Sequence, residues 1–106
     1  EDGFSVDVSD TAREANIKWP VALSMRLWED IHAIPDKHKH QTPEGRLWDV
    51  LWMLFTNARR SKATRKMDYQ IIMHTGRRTY YYITAHLTVY DRDGSPMYYL
   101  DRMEGF

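Results

Sequence analysis

The 106-residue chain predicts an α+β domain spanning 1–106. Its expected parts are a short N-terminal strand, two to three helices and a C-terminal three-stranded antiparallel meander packed on the central helix. Three observations lead there. Residues 43–61 repeat apolar side chains with a helical period over much of the circumference. Residues 67–103 switch to an alternation of period two. The runs of that second region are joined by "TGRR" and "DRDG", turns of the hairpin kind.

Taken in order, "GFSVDV" at 3–8 sets Phe4, Val6 and Val8 against Ser5 and Asp7, the pattern of a short strand. "SDTAREANI" reads as a short helix, with Ser9 or Asp10 as cap, Thr11 and Glu14 at capping-box spacing, and Asn16 as terminator. Pro20 suits the first turn of a second helix over 20–33, which aligns Leu23, Leu27, Ile31 and Ile34, with Trp28 beside them and Pro35 at its end. After the polar loop "PDKHKHQ", Thr42 caps and Pro43 opens the longest helix, "PEGRLWDVLWMLFTNARRS". Leu47, Leu51, Leu54 and Ala58 form one stripe, and Trp48, Trp52, Phe55 and Arg59 a neighbouring one. Asp49, Met53, Thr56 and Arg60 remain for a narrow polar edge, so this helix is expected to be covered on two sides, with all four tryptophans in the core. Strands are expected at about 67–74, 79–90 and 96–103 by the same alternation. The middle one turns Tyr81, Ile83, Ala85, Leu87 and Val89 to the helices, and leaves Tyr80, Tyr82, Thr84, His86, Thr88 and Tyr90 on a face that helices need not cover.

"EDGFSVDVSDTAREANIKWPVALSMRLW" and "GRLWDVLWM" followed by "NARR" carry a resemblance. They are similar to a family of small, uncharacterised bacterial proteins carried on plasmids, phages and integrative elements. Its members share E-D-G-x-x-V-D-V-S-x-T-A-R-E-A, then W-P-V-A-L, then G-R-L-W-D-V-L-W-M. The match is long and specific over Glu1–Leu23 and Gly45–Met53, and general over the closing "DRDGSPMYYL". What the resemblance implies is a mobile-genetic-element context; it supplies no catalytic residues. Family members carry a stretch before E-D-G and this chain opens at Glu1 without an initiator methionine, so a native N-terminal segment is expected to precede it.

Composition narrows the chemistry. Without cysteine there is no disulfide, no thiol nucleophile and no thiolate metal site. No apolar run is long enough for a bilayer and no secretory leader is evident, so a cytoplasmic protein without a membrane partner is expected. Net charge is zero, although Arg46, Arg59, Arg60, Lys62, Arg65, Lys66, Arg77 and Arg78 crowd the middle against only Asp49 and Asp68. A sequence-blind nucleic-acid binder is normally basic overall.

Motifs for catalysis are missing. Ser24, Ser61 and Ser95 lack a nucleophile elbow, and the glycines are isolated, without a phosphate loop. His38 and His40, with His32 before them, are read as solvated rather than as metal ligands, and "DRDGS" as a turn rather than a calcium loop. Arg46 and Asp49 read as a local ion pair, and Arg13 as tying its helix to the strand that carries Asp7.

These readings lead to a protein that acts by binding. The expected partner is another protein or a second copy of the chain, held by the aromatic sheet face and its arginine turn: Arg77, Arg78, Tyr80, Tyr82, His86 and Tyr90. Single-stranded nucleic acid on the same face is the alternative. A small motifless enzyme with a polar pocket at Asp7, Arg13 and Glu14 is the second alternative. No cofactor and no metal is expected.

Overall fold

The α+β expectation holds in the computed structural model, which describes residues 5–35, 41–61, 65–75, 78–89 and 94–105. The elements are β1 (Ser5–Asp7), α1 (Ser9–Glu14), β2 (Val21–Ser24), α2 (Met25–His32), α3 (Pro43–Ser61), β3 (Lys66–Thr75), β4 (Arg78–Val89) and β5 (Pro96–Arg102). The meander β3–β4–β5 forms as expected, and two further strands extend it into a five-stranded mixed sheet of order β1-β2-β5-β4-β3. Residues of α1, α2 and α3 share one apolar core with the inward side chains of the sheet. Among the described residues no helix is long and apolar enough to cross a membrane.

The helix expected over 20–33 is corrected at its start. Val21–Ser24 is a strand, buried at every position, hydrogen-bonded antiparallel to β1 on one side and parallel to β5 on the other. Pairing on both edges outweighs the helical spacing of Leu23, which reaches the core from a strand instead. The helix begins one residue later. The hydroxyl of Ser24 accepts the N–H of Leu27, 3.2 Å away, and so caps α2.

The cap of α1 is also corrected. Neither Ser9 nor Asp10 caps it, and Thr11 and Glu14 make no capping box; instead the Asp7 carboxylate accepts the Ser9 N–H at 2.8 Å. The Ser9 hydroxyl is taken by the N–H of Val21, at 3.0 Å, which fastens α1 to β2. Asn16 terminates the helix in the left-handed conformation, φ 69°, while Ile17 N–H returns to Ala12 O at 2.9 Å. Thr42 caps α3 as expected, accepting the Gly45 N–H at 3.0 Å.

Burial overturns three further expectations. Trp19, Trp48 and Trp52 are exposed rather than core, and only Trp28 packs partly against it. The core side of α3 is already filled by Val50, Leu51 and Leu54, which leaves the neighbouring aromatic stripe in water. Val89 is 59% exposed at the end of β4, beyond the reach of the helices. Arg46 makes no ion pair with Asp49. Its guanidinium is buried and donates to the carbonyls of Asp30 (3.0 Å), Ile31 (3.2 Å), Ala33 (3.4 Å) and His74, while Nε reaches Gln41 Oε1 at 2.9 Å. Burial lowers the Arg46 pKa and the nearby Asp30 carboxylate partly opposes that.

Removing Arg46 takes a donor from several carbonyls at once. Arg46→Leu is expected to lower the unfolding free energy by about 2–4 kcal/mol in urea titration. Arg46→Lys is expected to recover only part of the loss, because one ammonium cannot span the positions that the planar fork reaches.

Candidate functional site

Strand pairing dictates the composition of the sheet face opposite the helices. Val6, Val21, Leu23, Tyr98, Leu100, Tyr81, Ile83, Ala85, Met67, Tyr69, Ile71 and Met73 turn inward. Their neighbours therefore form rows across the open face. One row runs Asp7, Ala22, Tyr99, His86 and Lys66. The next runs Ser5 and Ser24 to Asp101, Thr84 and Asp68, with the Ser24 hydroxyl donating to Asp101 at 2.6 Å and Thr84 donating to Asp68 at 2.6 Å. Beyond them Tyr82 is level with Gln70, and Tyr80 with Ile72. Among the described residues no helix covers this face.

The face is concave because β2 contributes only small side chains to it. Ala22 and Ser24 form a low floor between β1 and β5. Above that floor lies a trough of about 600 Å³ lined by Ser5, Asp7, Ser9, Pro20, Ala22, His86, Thr88, Val89, Met97 and Tyr99. The His86 and Tyr99 rings meet at 6.3 Å, tilted by 39°. A second, more polar depression of about 440 Å³ lies toward Arg26, Lys66, Asp68, Asp101 and Arg102.

Two arginines on this side, Arg26 and Arg102, are committed to carboxylates. Arg26 grips Asp101 with both prongs, Nε to Oδ1 at 2.8 Å and Nη2 to Oδ2 at 2.9 Å. Arg102 reaches Asp30 at 3.2 Å, and the same Asp30 oxygen accepts the Tyr81 hydroxyl. Burial, reinforced by Asp30, pushes the Tyr81 hydroxyl pKa well up. Burial alone raises Asp101, but hydrogen bonds from Arg26, Ser24 and the Arg102 N–H outweigh it and leave its carboxyl below the ordinary value. Asp7 is also held low, by the Ser9 hydroxyl and N–H first.

Of the residues singled out in the sequence, Tyr80, Tyr82 and His86 lie on the open face; Tyr80 is half exposed, and Tyr82 and His86 are partly buried. Thr84 shares their side of β4 yet is buried beneath its bond to Asp68. Arg77 and Tyr90 lie outside the described residues, and Arg78 enters as the first residue of β4, in register with Thr75. Asp7 lines the trough, whereas Arg13 and Glu14 are exposed on α1 and do not. Arg13 pairs with Asp10 one turn back and not across to the strand. His38, His40 and 91–93 lie outside the described residues; His32 holds the carbonyl of Trp28 through Nδ1 at 2.9 Å. Met97, Tyr99 and Asp101 were legible as one parity of "PMYYLDR". Ala22 and Ser24 were hidden by the helical reading of their segment.

The fold and this face define a two-layer α+β domain with helices on one side of a mixed sheet and a concave, mixed-polarity surface on the other. Comparison of the chain with family models, with curated proteins and with solved structures finds no match to any of them.

Asp7 and Asp101 titrate lower in the folded chain than in the unfolded one. Their stabilising contribution is present above the unfolded value, about pH 4, and is lost as pH falls through the folded values. The melting temperature followed by circular dichroism is therefore expected to decline below about pH 4. Asp101→Asn is expected to melt lower than the native chain at neutral pH and to show a shallower acid decline.

Proposed function

We propose that the chain acts by binding another protein through the open face of its sheet, and that it serves a mobile genetic element in that capacity. The mobile-element setting rests on the resemblance of Glu1–Leu23 and Gly45–Met53 alone. The binding reading rests chiefly on the trough over Ala22, with its Tyr99, Met97 and His86 walls and its Asp7 carboxylate at one side. Aromatic and methionine side chains around a small-residue floor suit an inserted apolar side chain. The low pKa of Asp7 keeps an anion beside that floor, so a lysine or arginine next to the inserted side chain would complete the recognition.

Nucleic acid suits the face less well. A phosphate backbone needs available cations. Arg26 and Arg102 are engaged by Asp101 and Asp30, and Asp7, Asp68 and Asp101 add negative charge to the rows.

A photo-crosslinking residue at Thr88, beside the trough, tests the reading in lysate of the cell the protein comes from, with Glu29 on α2 as control position. A discrete protein adduct is expected at Thr88 and not at Glu29. It should disappear in Asp7→Lys and Tyr99→Asp variants whose melting temperatures stay near that of the parent. Adducts to nucleic acid alone, or a protein adduct indifferent to both substitutions, would overturn the proposal.

A further inference from the structure

The far side of the molecule carries a second surface, independent of the trough. Trp48, Trp52, Phe55 and Arg59 recur along α3 at steps of four, three and four, the spacing of a helix-pairing seam. Trp48 is 38% exposed and Trp52 is 43% exposed. Their rings stack with centroids 6.2 Å apart and 13° between planes, Phe55 follows at 5.6 Å, and the Arg59 guanidinium lies 5.6 Å from the Phe55 centroid. The result is a continuous, pre-ordered aromatic ridge in water. Beside its C-terminal half runs an apolar groove of about 340 Å³, lined by Ile17, Trp19, Leu54, Phe55, Ala58 and Arg59.

We infer that α3 pairs antiparallel with α3 of a second copy, making a two-fold symmetric dimer through the tryptophan ridge. The helix is complementary to itself. Its N-terminal half presents the tryptophans with Glu44 and Asp49, and its C-terminal half presents the groove with Arg59 and Arg60. An antiparallel copy whose symmetry axis crosses between the levels of Trp52 and Phe55 sets each half against its complement. Trp52 then meets the second copy's Phe55, and Trp48 meets its Arg59 at the mouth of the groove, a cation–π pairing.

Flanking charges agree with the same register. At about 100° per residue, Asp49 and Arg60 fall on one flank of the seam, while Arg59 lies within the seam itself. An antiparallel two-fold pair brings like flanks together, so Asp49 faces the second copy's Arg60. Within one chain Asp49 and Arg60 are three turns apart, roughly 16 Å along the axis, and cannot satisfy each other. Partial burial also raises the Asp49 carboxyl above its ordinary value, so a cation brought up to it favours the anion. Both halves of this complementarity lie on one helix, which is the arrangement an isologous interface requires. The dimer leaves the two troughs facing outward, each open to its own partner.

Sedimentation equilibrium of the full chain at tens of micromolar is expected to give twice the chain mass, and Trp52→Glu is expected to give the monomer with unchanged helix content. Asp49→Arg alone and Arg60→Glu alone are each expected to weaken the dimer at least tenfold. Mixing those two variants restores it, because both cross-pairs become opposite in charge only in the mixed dimer. A monomeric native chain, a Trp52→Glu dimer, or failure of the mixture to recover would overturn the inference. Each leaves the sheet-face reading standing, since the crosslink at Thr88 does not depend on dimer formation.

Discussion

Among the described residues, Arg46 is the one charged side chain that is buried, and three elements are positioned by what it touches. From the first turns of α3 it reaches the last carbonyls of α2 and the carbonyl of His74 near the end of β3. Helix C-terminal carbonyls have no partner within their own helix and carry partial negative charge. A guanidinium with several fixed donors meets that need with one side chain. The arrangement holds a positive charge against carbonyl dipoles rather than against a carboxylate. Charge and dipole are matched where a dry contact between helix ends and a strand end would otherwise leave polar atoms without bonds.

A second set of polar ties runs along α2 from its N-cap to its last turn. Ser24 caps the helix and donates to Asp101, Arg26 clamps the same carboxylate, and Asp30 collects Tyr81 and Arg102. These bonds link α2 to β4 and β5 without using apolar area. With helices on one face only, the outward rows of the sheet stay available. Their relief follows from side-chain size, since Ala22 and Ser24 make a floor between larger neighbours. The sheet face and the α3 ridge lie on opposite sides of the protein, so the two proposed contacts do not compete for surface.

Legibility in the sequence followed the range of the interactions involved. The meander was plain because alternation and turn residues act within a few positions, and the faces of β4 were assigned correctly from Tyr81 to Ala85 for the same reason. Thr42, Pro43 and Asn16 announced their helix ends through local backbone chemistry. Val21–Ser24 misled, because a short run of three apolar residues and a serine fits a buried strand and a helix equally well, and only pairing with β1 and β5 decides. The tryptophans misled for a related reason. Helical spacing groups Trp48 with Trp52, but it does not say which of two adjacent stripes the sheet will cover. On the candidate face, His86 and Tyr82 were readable from strand parity. The trough was not, because Asp7, Ala22 and Tyr99 come from strands far apart in the chain.

The sequence by itself determined the α+β class, the meander, the extent of α3, and the division of β4 into an inward and an outward face. All of these depend on period, capping and turn chemistry within a single segment. Only the tertiary structure decided that β2 is a strand and that Arg46 serves carbonyls rather than Asp49. It alone also decided that the tryptophan stripe faces water and that a small-residue floor lies beneath Tyr99. Each of these depends on which distant segment arrives as neighbour. Burial and pairing energies are collected there, and they exceed the fraction of a kcal/mol by which local propensity separates one conformation from another.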